Sequence, residues 1–373
     1  MVFSGLPFLF FYLVVTLFLY KLTPLKLRNL VLLIASLFFY GWGEPVYIVI
    51  MFLSIAVDYT HGMLVERWRA DDRKARMAVA SSVFINLLIL VTFKYYDFLV
   101  GSLNAITGWS IPLLGVSMPI GISFYTFQTM SYTIDVYRKD APVQRNIVTF
   151  GTFVTLFPQL IAGPIIQYKS VADQLQCRRE DLEKFVSGVR RFCVGLAKKV
   201  LLANAIGKLW DVFLAADTAE LTVLGGWLGL IAYAFQIYFD FSGYSDMAIG
   251  LGRMFGFEFI ENFNYPYISR SVVEFWKRWH ISLTNWFREY VYFPLGGQPG
   301  EQAQVDPEHF DRVAPYWHMA WRRVELPPLG PLLCPLDAGG AAVPGQAAGE
   351  APRCPAAYLH PGGGTGRLGP LRD

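Results

Sequence analysis

Charge is scarce in this chain. Asp, Glu, Lys and Arg make up 16% of its 373 residues, against about 25% in an ordinary soluble domain. Too few polar side chains remain to coat a globule of this length, which excludes a soluble enzyme. The apolar content equally excludes a disordered chain. A formal charge of +3 is too dilute for a nucleic-acid surface, so no nucleic-acid partner is expected. Cysteine is scarce too: Cys177, Cys193, Cys334 and Cys354 lack zinc spacing and are too few for a disulfide framework. No other ligand cluster suggests a metal. No basic residue precedes the first apolar run, which therefore reads as a retained anchor and not as a cleaved signal. What the chain has in quantity is apolar surface, 54% of residues with 16% aromatic. It is gathered in runs such as Val2–Tyr20 and Leu30–Tyr40, of the kind a bilayer demands. The expected class is an all-α, multi-pass membrane protein.

Two compositions divide the chain. Residues 298–373 hold 12 of the 22 prolines and 11 of the 33 glycines, yet no Ile, Lys, Ser or Asn. Their charge is −2, leaving +5 on residues 1–297. Proline at that density blocks helix interiors, and Pro/Gly-rich sequence without a repeat points to disorder. Gln298–Asp373 is expected to be a tail without its own fold, and function is read from Met1–Gly297.

Candidate spans in the body are Phe3–Tyr20, Asn29–Tyr40 with its flanks, Tyr47–Met63, Ala78–Phe93, Pro119–Val136, Phe192–Leu214, Thr222–Phe239 and a short run near Met247–Phe259. Short cytoplasmic loops are enriched in Lys and Arg. Lys21, Lys26 and Arg28, then Arg67, Arg69, Arg73, Lys74 and Arg76, then Arg138, Lys139 and Arg145 are separated by two spans each. All three clusters fit inside, with the amino terminus outside. The apolar stretch that follows leads to Lys169, Arg178, Arg179, Arg190, Arg191, Lys198 and Lys199, and one full crossing would place these on the wrong side. Pro158, Gly163 and Pro164 interrupt that stretch. Irregular backbone at membrane depth is tolerated only where protein or a water-filled cavity surrounds it. Val148–Ile166 is therefore expected to be a broken or re-entrant segment lining a central cavity. The alternative is a kinked complete span followed by an external basic helix.

Ionisable side chains inside apolar segments face a cavity or a partner. Asp240 and Asp246 are six residues apart, roughly opposite on a helix, unless Gly243 breaks the helix between them. They either line a substrate site or accept bonds from Ser242, Tyr244 or an arginine and tie helices together. The stretch Glu274–Gly297 is the densest. Trp276, Trp279, Trp286, Phe287, Tyr290 and Tyr292 resemble an interfacial belt, with Lys277, Arg278, Arg288 and Glu289 at headgroup level. On a continuous helix His280 lies one turn from Trp276 and from Thr284, and Pro294-Leu-Gly-Gly ends that helix. His280 is either an interfacial histidine bonded to a carbonyl or to Thr284, or a base. Its reference pKa of about 6.5 lets an imidazole take a proton from a hydroxyl near neutral pH.

Four blocks together resemble the membrane-bound O-acyltransferases, and within them the bacterial alginate O-acetylase branch. They are Met118–Gln128 continuing to Arg138, Phe157–Pro164 (including Gln159), Asp240–Asp246 and Trp276–Gly297, in the family's order. The D-alanyl transfer proteins of teichoic-acid modification share these blocks. The resemblance implies a multi-helix bundle that transfers an acetyl group to hydroxyls of an exopolysaccharide such as alginate, in the bacterial cytoplasmic (inner) membrane. It implies an acyl thioester donor such as acetyl-CoA, with no bound cofactor, and a polysaccharide acceptor or a periplasmic acyl-transfer partner. The family's RWH-x-SL-x-x-WFR block falls on His280 as the catalytic residue, with Arg278, Trp279, Ser282, Trp286 and Arg288 around it. Asp240, Asp246, Gln159 and Pro164 complete the expected cavity lining.

One family element is missing from this reading frame. An apolar helix with a G-x-W-H-G motif and a second histidine is expected after the PLGG turn; His318, in Tyr316-Trp-His-Met-Ala-Trp, has the wrong neighbours. Back-translated, that hexapeptide reads TAY TGG CAY ATG GCN TGG, with C or A opening the next codon. Shifted by one nucleotide it gives AYT GGC AYA TGG CNT GGM, which encodes Gly, Thr or Ile, Trp, a choice including His, and Gly. Both flanks permit an apolar helix. The expectation is a single-nucleotide frameshift close to Gln298, the rival being a genuine lineage-specific tail. The product as it stands is then expected to be impaired. Other readings are D-alanyl or other acyl transfer to a cell-envelope polymer, a transporter, or a structural component of a polysaccharide-export complex. A transporter predicts an internal repeat, and neither the Pro119–Gln128 nor the Phe157–Pro164 block recurs.

Overall fold

The computed structural model describes residues 1–178, 180–216 and 222–296. Gln298–Asp373, with His318, Cys334, Cys354 and the frame argument, lies outside the described residues. Among those described, every regular element is helical. A π-helical turn at Phe8–Tyr12 leads into α1 (Leu13–Leu22), followed by α2 (Arg28–Gly43), α3 (Ile48–Arg67) and α4 (Asp72–Lys94). Then come α5 (Tyr96–Thr107), which the span assignment passes over, and α6 (Ile122–Arg138). The chain continues with α7 (Ile147–Thr155), α8 (Phe157–Leu160), α9 (Tyr168–Gln176), α10 (Leu182–Ala197), α11 (Asn204–Ala215) and α12 (Val223–Met254). The short helices α13 (Val272–Arg278) and α14 (Ile281–Phe287) close the described body. Leu25–Gly43, Ile48–Arg67, Asp72–Lys94 and Val223–Met254 are long and apolar enough to cross a bilayer. Large apolar side chains such as Leu6, Phe10, Phe18, Phe84 and Trp227 stand exposed on the outside. The protein is a multi-pass membrane protein.

Helix α6 is the hub. It is buried along most of its circumference and packs against α3, α4, α7 and α9. Asp58 of α3 is completely buried beside it. Its carboxylate accepts from Ser82 Oγ (2.5 Å) and Asn86 Nδ2 (2.8 and 3.0 Å) of α4 and from Thr133 Oγ1 (3.2 Å) of α6. A buried charge is tolerated when its oxygens are so saturated, and this knot pins three helices in register. The acid stands in plain view inside the apolar run Tyr47–Met63.

The stretch from 148 to 166 is broken and re-entrant. Asn146 caps α7 by accepting from Val148 N and Thr149 N, and α7 stops at Leu156, where Pro158 follows in a single turn. The segment travels to the far end of α6, where a Cβ built on Gly121 would lie 2.5 Å from Leu160 O. It then returns: Tyr168 N donates to Ser131 Oγ (3.3 Å) and Lys169 N to Asp135 Oδ2 (3.2 Å), near the C-terminal end of α6. One side chain marks both passages. Asn29 Nδ2 donates to Thr149 Oγ1 (3.3 Å) at the outset and to Leu175 O (2.8 Å) after the return. Lys21 and Arg28 pair with Glu180 at 2.8 and 2.7 Å, Arg178 donates to Asn29 Oδ1 (2.8 Å), and Arg69 reaches Val136 O (3.5 Å). Lys21, Arg28, Arg69 and Arg178 thus gather at one end of the bundle, which removes the parity conflict across the broken segment; Lys198 and Lys199 lie deeper along α12, beside Asp246 and Asp240. A Ser170→Cys variant should label from the side that reaches the 67–76 loop, and Ser110→Cys, beyond the far end of α4, from the opposite side. Labelling of both from one side would contradict this topology.

Two expectations are corrected. The runs Thr222–Phe239 and Met247–Phe259 are largely one helix, α12, which Gly243 does not break. Gly243 instead lies against Gly195 of α10, where backbone from both sides fills the place a Cβ would take; close helix approach holds its conformation. The block Glu274–Gly297 is not one helix. It consists of α13, a left-handed residue at His280 (φ 47°), α14 and a π-helical turn at Arg288–Tyr292.

Candidate functional site

The break at His280 has identifiable makers. A non-glycine residue in the left-handed region costs on the order of 1–2 kcal/mol, and His is among the types that tolerate it. Asn264 N donates to Arg278 O (2.9 Å) and Ile281 N to Asn262 O (3.0 Å), so a short extended segment laces across the break. His280 O then accepts from Thr284 N (3.1 Å) and starts α14. Thr284 Oγ1 donates to Trp276 O (3.1 Å), not to the histidine.

The imidazole is buried and packs nearly perpendicular to the ring of Phe241 on α12, with ring centroids 4.8 Å apart. Its Nδ1 lies 3.1 Å from Asn262 Oδ1. That same oxygen accepts from Ser282 N (3.1 Å) and Ser282 Oγ (2.8 Å), while Ser282 Oγ accepts from Ile165 N (3.0 Å). Phe241 in turn lines a cleft of about 280 Å³ shared with Gln236, Ile237, Asp240 and Tyr244 of α12 and with Ala162 beyond α8.

The four sequence blocks meet here. Trp286 Nε1 donates to Phe127 O (2.9 Å) and Tyr290 Oη to Asp135 Oδ1 (2.7 Å), joining the last block to the first. Ile165, the residue that follows the second block, joins it to Ser282 of the last, and Phe241 with His280 joins the third to the last. Lys169 pairs with Glu289 alongside.

The other expected residues divide by position. Asp240 borders the cleft, with Lys199 Nζ 2.5 Å away. Asp246 is held by Arg191 (2.6 Å) and Lys198 (2.6 Å) and ties α12 to α10. The helix-tying alternative therefore holds for Asp246, with partners on α10 and the π-helical turn after it in place of Ser242 or Tyr244. Arg278 pairs with Glu274 (2.9 Å) and donates to Asn264 O (3.1 Å). Trp279 packs between Phe263 and Phe275 at 5.1 and 5.6 Å. Gln159 Nε2 donates to Phe153 O (2.7 Å) across the α7–α8 break. Pro164 is buried one residue before Ile165. Arg288 is exposed. The expected aromatic belt is corrected in part: Trp279, Trp286, Phe287 and Tyr290 are interior side chains, because Trp286, Phe287 and Tyr290 pack against Phe127 and Met130 of α6 and Trp279 against Phe263 and Phe275. Asn262 was not anticipated. Only its place eighteen residues upstream could have suggested it, and no helical or strand period links the two.

Residues 138–305 match the model of the MBOAT, membrane-bound O-acyltransferase family. The chain is 46% identical over 309 residues to the "Probable alginate O-acetylase AlgI" of Azotobacter vinelandii, covering 82% of this chain and 62% of that protein. It is 33% identical over 293 residues to the peptidoglycan O-acetyltransferase of Helicobacter pylori, covering 71% and 55%. To the teichoic acid D-alanyltransferase of Bacillus subtilis it is 31% identical over 180 residues, covering 46% and 44%. The chain thus spans about three-fifths of the length of the alginate O-acetylases it matches. By the family match, by these identities and by the convergence of its four blocks around one buried histidine, the chain belongs to the membrane-bound O-acyltransferase family.

Proposed function

We propose that the body of this chain is built to transfer an acetyl group from a thioester donor, acetyl-CoA or a similar acyl thioester, to a hydroxyl of an exopolysaccharide such as alginate. The observation that carries the reading is the buried imidazole of His280 beside the Phe241 cleft, where the four family blocks converge. An alcohol is a poor nucleophile until a positioned base removes its proton. His280 would accept that proton as the hydroxyl oxygen attacks the thioester carbonyl. The C–O bond forms, the C–S bond breaks, and the proton leaves with the departing thiol. Burial limits hydrolysis of the donor. The acceptor class follows the alginate O-acetylases, to which identity is highest among the relatives above. D-alanyl transfer is the second reading. The setting is the bacterial inner membrane, with a polysaccharide acceptor or a periplasmic transfer partner.

The reading extends to the frame. The family match ends at residue 305, close to the composition change at Gln298, which supports a one-nucleotide shift there. Sequencing the gene and reconstituting both chains in proteoliposomes tests both parts. The frame-restored chain should acetylate alginate from acetyl-CoA, and the chain as it stands should fall to background. An uninterrupted, confirmed frame without a downstream G-x-W-H-G removes the shift; no transfer by the restored chain removes the acetylase reading.

A further inference from the structure

We infer that Asn262 is a positioning residue that fixes His280 as the Nδ1–H tautomer and so leaves Nε2 as the basic nitrogen. This rests on the reading of His280 as the proton acceptor. The argument is one of donor and acceptor identity. The Ser282 backbone N–H can only donate, so the Asn262 atom 3.1 Å from it must be the amide oxygen. Ser282 Oγ spends a lone pair on Ile165 N–H (3.0 Å); its own proton has two acceptors in reach, Asn262 Oδ1 at 2.8 Å and His280 Nδ1 at 3.4 Å, and goes to the nearer oxygen. Oδ1 therefore has no proton to give. The contact of 3.1 Å between it and His280 Nδ1 is a hydrogen bond only if Nδ1 carries the proton; a bare Nδ1 would set two lone pairs against each other. A neutral imidazole protonated at one nitrogen is an acceptor at the other, and the bond at one nitrogen dictates the role of its partner. Asn262 is almost fully buried, as is Ser282, so water does not compete for these bonds. The backbone bonds from Ile281 N to Asn262 O and from Asn264 N to Arg278 O hold the amide in place. Asn262 thus shapes both the left-handed backbone and the protonation pattern of the residue at its centre.

The test reads the tautomer directly. The full chain is labelled with ¹⁵N-histidine in nanodiscs, and the His280 signals are identified by their loss in His280→Asn. The expected result is a directly bonded proton on Nδ1 and an unprotonated Nε2. A proton on Nε2 in the unmodified chain overturns the inference. Asn262→Asp keeps an acceptor at the same place and should keep the Nδ1–H signature, whereas Asn262→Leu should lose it. A Leu variant with the Nδ1–H form intact also overturns the inference, since a merely structural asparagine would leave the tautomer alone. In the frame-restored chain Asn262→Leu should lower kcat about 100-fold or more with KM little changed, as happens when an orienting partner is lost, and Asn262→Asp should recover most of it. The two readings fail separately. An Nδ1–H histidine in a restored chain that transfers no acetyl group sinks the acetylase proposal and upholds the tautomer. An Nε2–H histidine in an active chain does the reverse.

Discussion

His280→Asn in the frame-restored chain is expected to lower acetyl transfer by about 10²–10⁴-fold, the usual worth of a positioned general base, with the yield of folded protein unchanged. Asparagine is the informative replacement because it separates chemistry from scaffold. It tolerates the left-handed backbone (φ 47°) as histidine does, whereas alanine adds a conformational penalty. Its side-chain N–H₂ can reach toward Asn262 Oδ1, 3.1 Å from His280 Nδ1, and so replace the donor that anchors the ring. What it lacks is a basic nitrogen at the far side. His280→Ala should lose the same rate and some stability as well, since the Phe241 ring contact at 4.8 Å goes with it. Initial rates on alginate, set beside monodisperse yield in detergent, decide the matter. Unimpaired transfer by the Asn variant would take the imidazole out of the proton transfer while leaving family membership untouched.

Much of this architecture is legible before any coordinates because a bilayer speaks through composition. Apolar runs mark α2, α3 and α4 with little ambiguity, and basic clusters set their direction. The re-entrant segment is legible for a stronger reason: Pro158, Gly163 and Pro164 forbid an uninterrupted helix where charge parity forbids a crossing, so two independent constraints agree. The centre of the site is another matter. Hydropathy and helical period describe Trp276–Tyr292 as one helix, because each residue there is compatible with one. The break at His280 depends on bonds from Asn262 and Asn264, partners that no local period reveals. The same holds for Asp240 and Asp246, whose lysine and arginine partners lie 41 to 55 residues away on α10 and the π-helical turn after it. Asp58 differs from these. An acid within an apolar run is a visible anomaly, and its role required only the question of which polar side chains of α4 and α6 could meet it.

Gly195→Leu should largely unfold the membrane body, and its expected effect follows from where backbone meets backbone. A Cβ at Gly195 would stand 2.5 Å from Gly243 O and 2.6 Å from Met247 N, and one at Gly188 2.7 Å from Gly250 O. The pairs repeat every seven residues on both helices, so α10 and α12 run antiparallel along a seam of bare backbone. Between helices in lipid there is no hydrophobic driving force, and close packing of small residues does much of the work. The seam also sets the reach of the ion pairs from Arg191 and Lys198 to Asp246 and from Lys199 to Asp240. A leucine there pushes the helices apart. It forfeits packing worth about 1–3 kcal/mol and strands a carboxylate whose separation from its partners costs about 3–5 kcal/mol more. Since α12 carries Phe241 and Asp240, the cleft beside His280 would be displaced with it. Gly226→Leu supplies the control, because no other described atom lies within 4 Å of a Cβ at that position of the same helix. Steric-trapping or thermal measurements in detergent should find the Gly226 variant like the parent and the Gly195 variant largely unfolded. Equal stability of the two would mean that α10 and α12 do not approach along this seam, and the placement of Asp246 among its basic partners would fall with it.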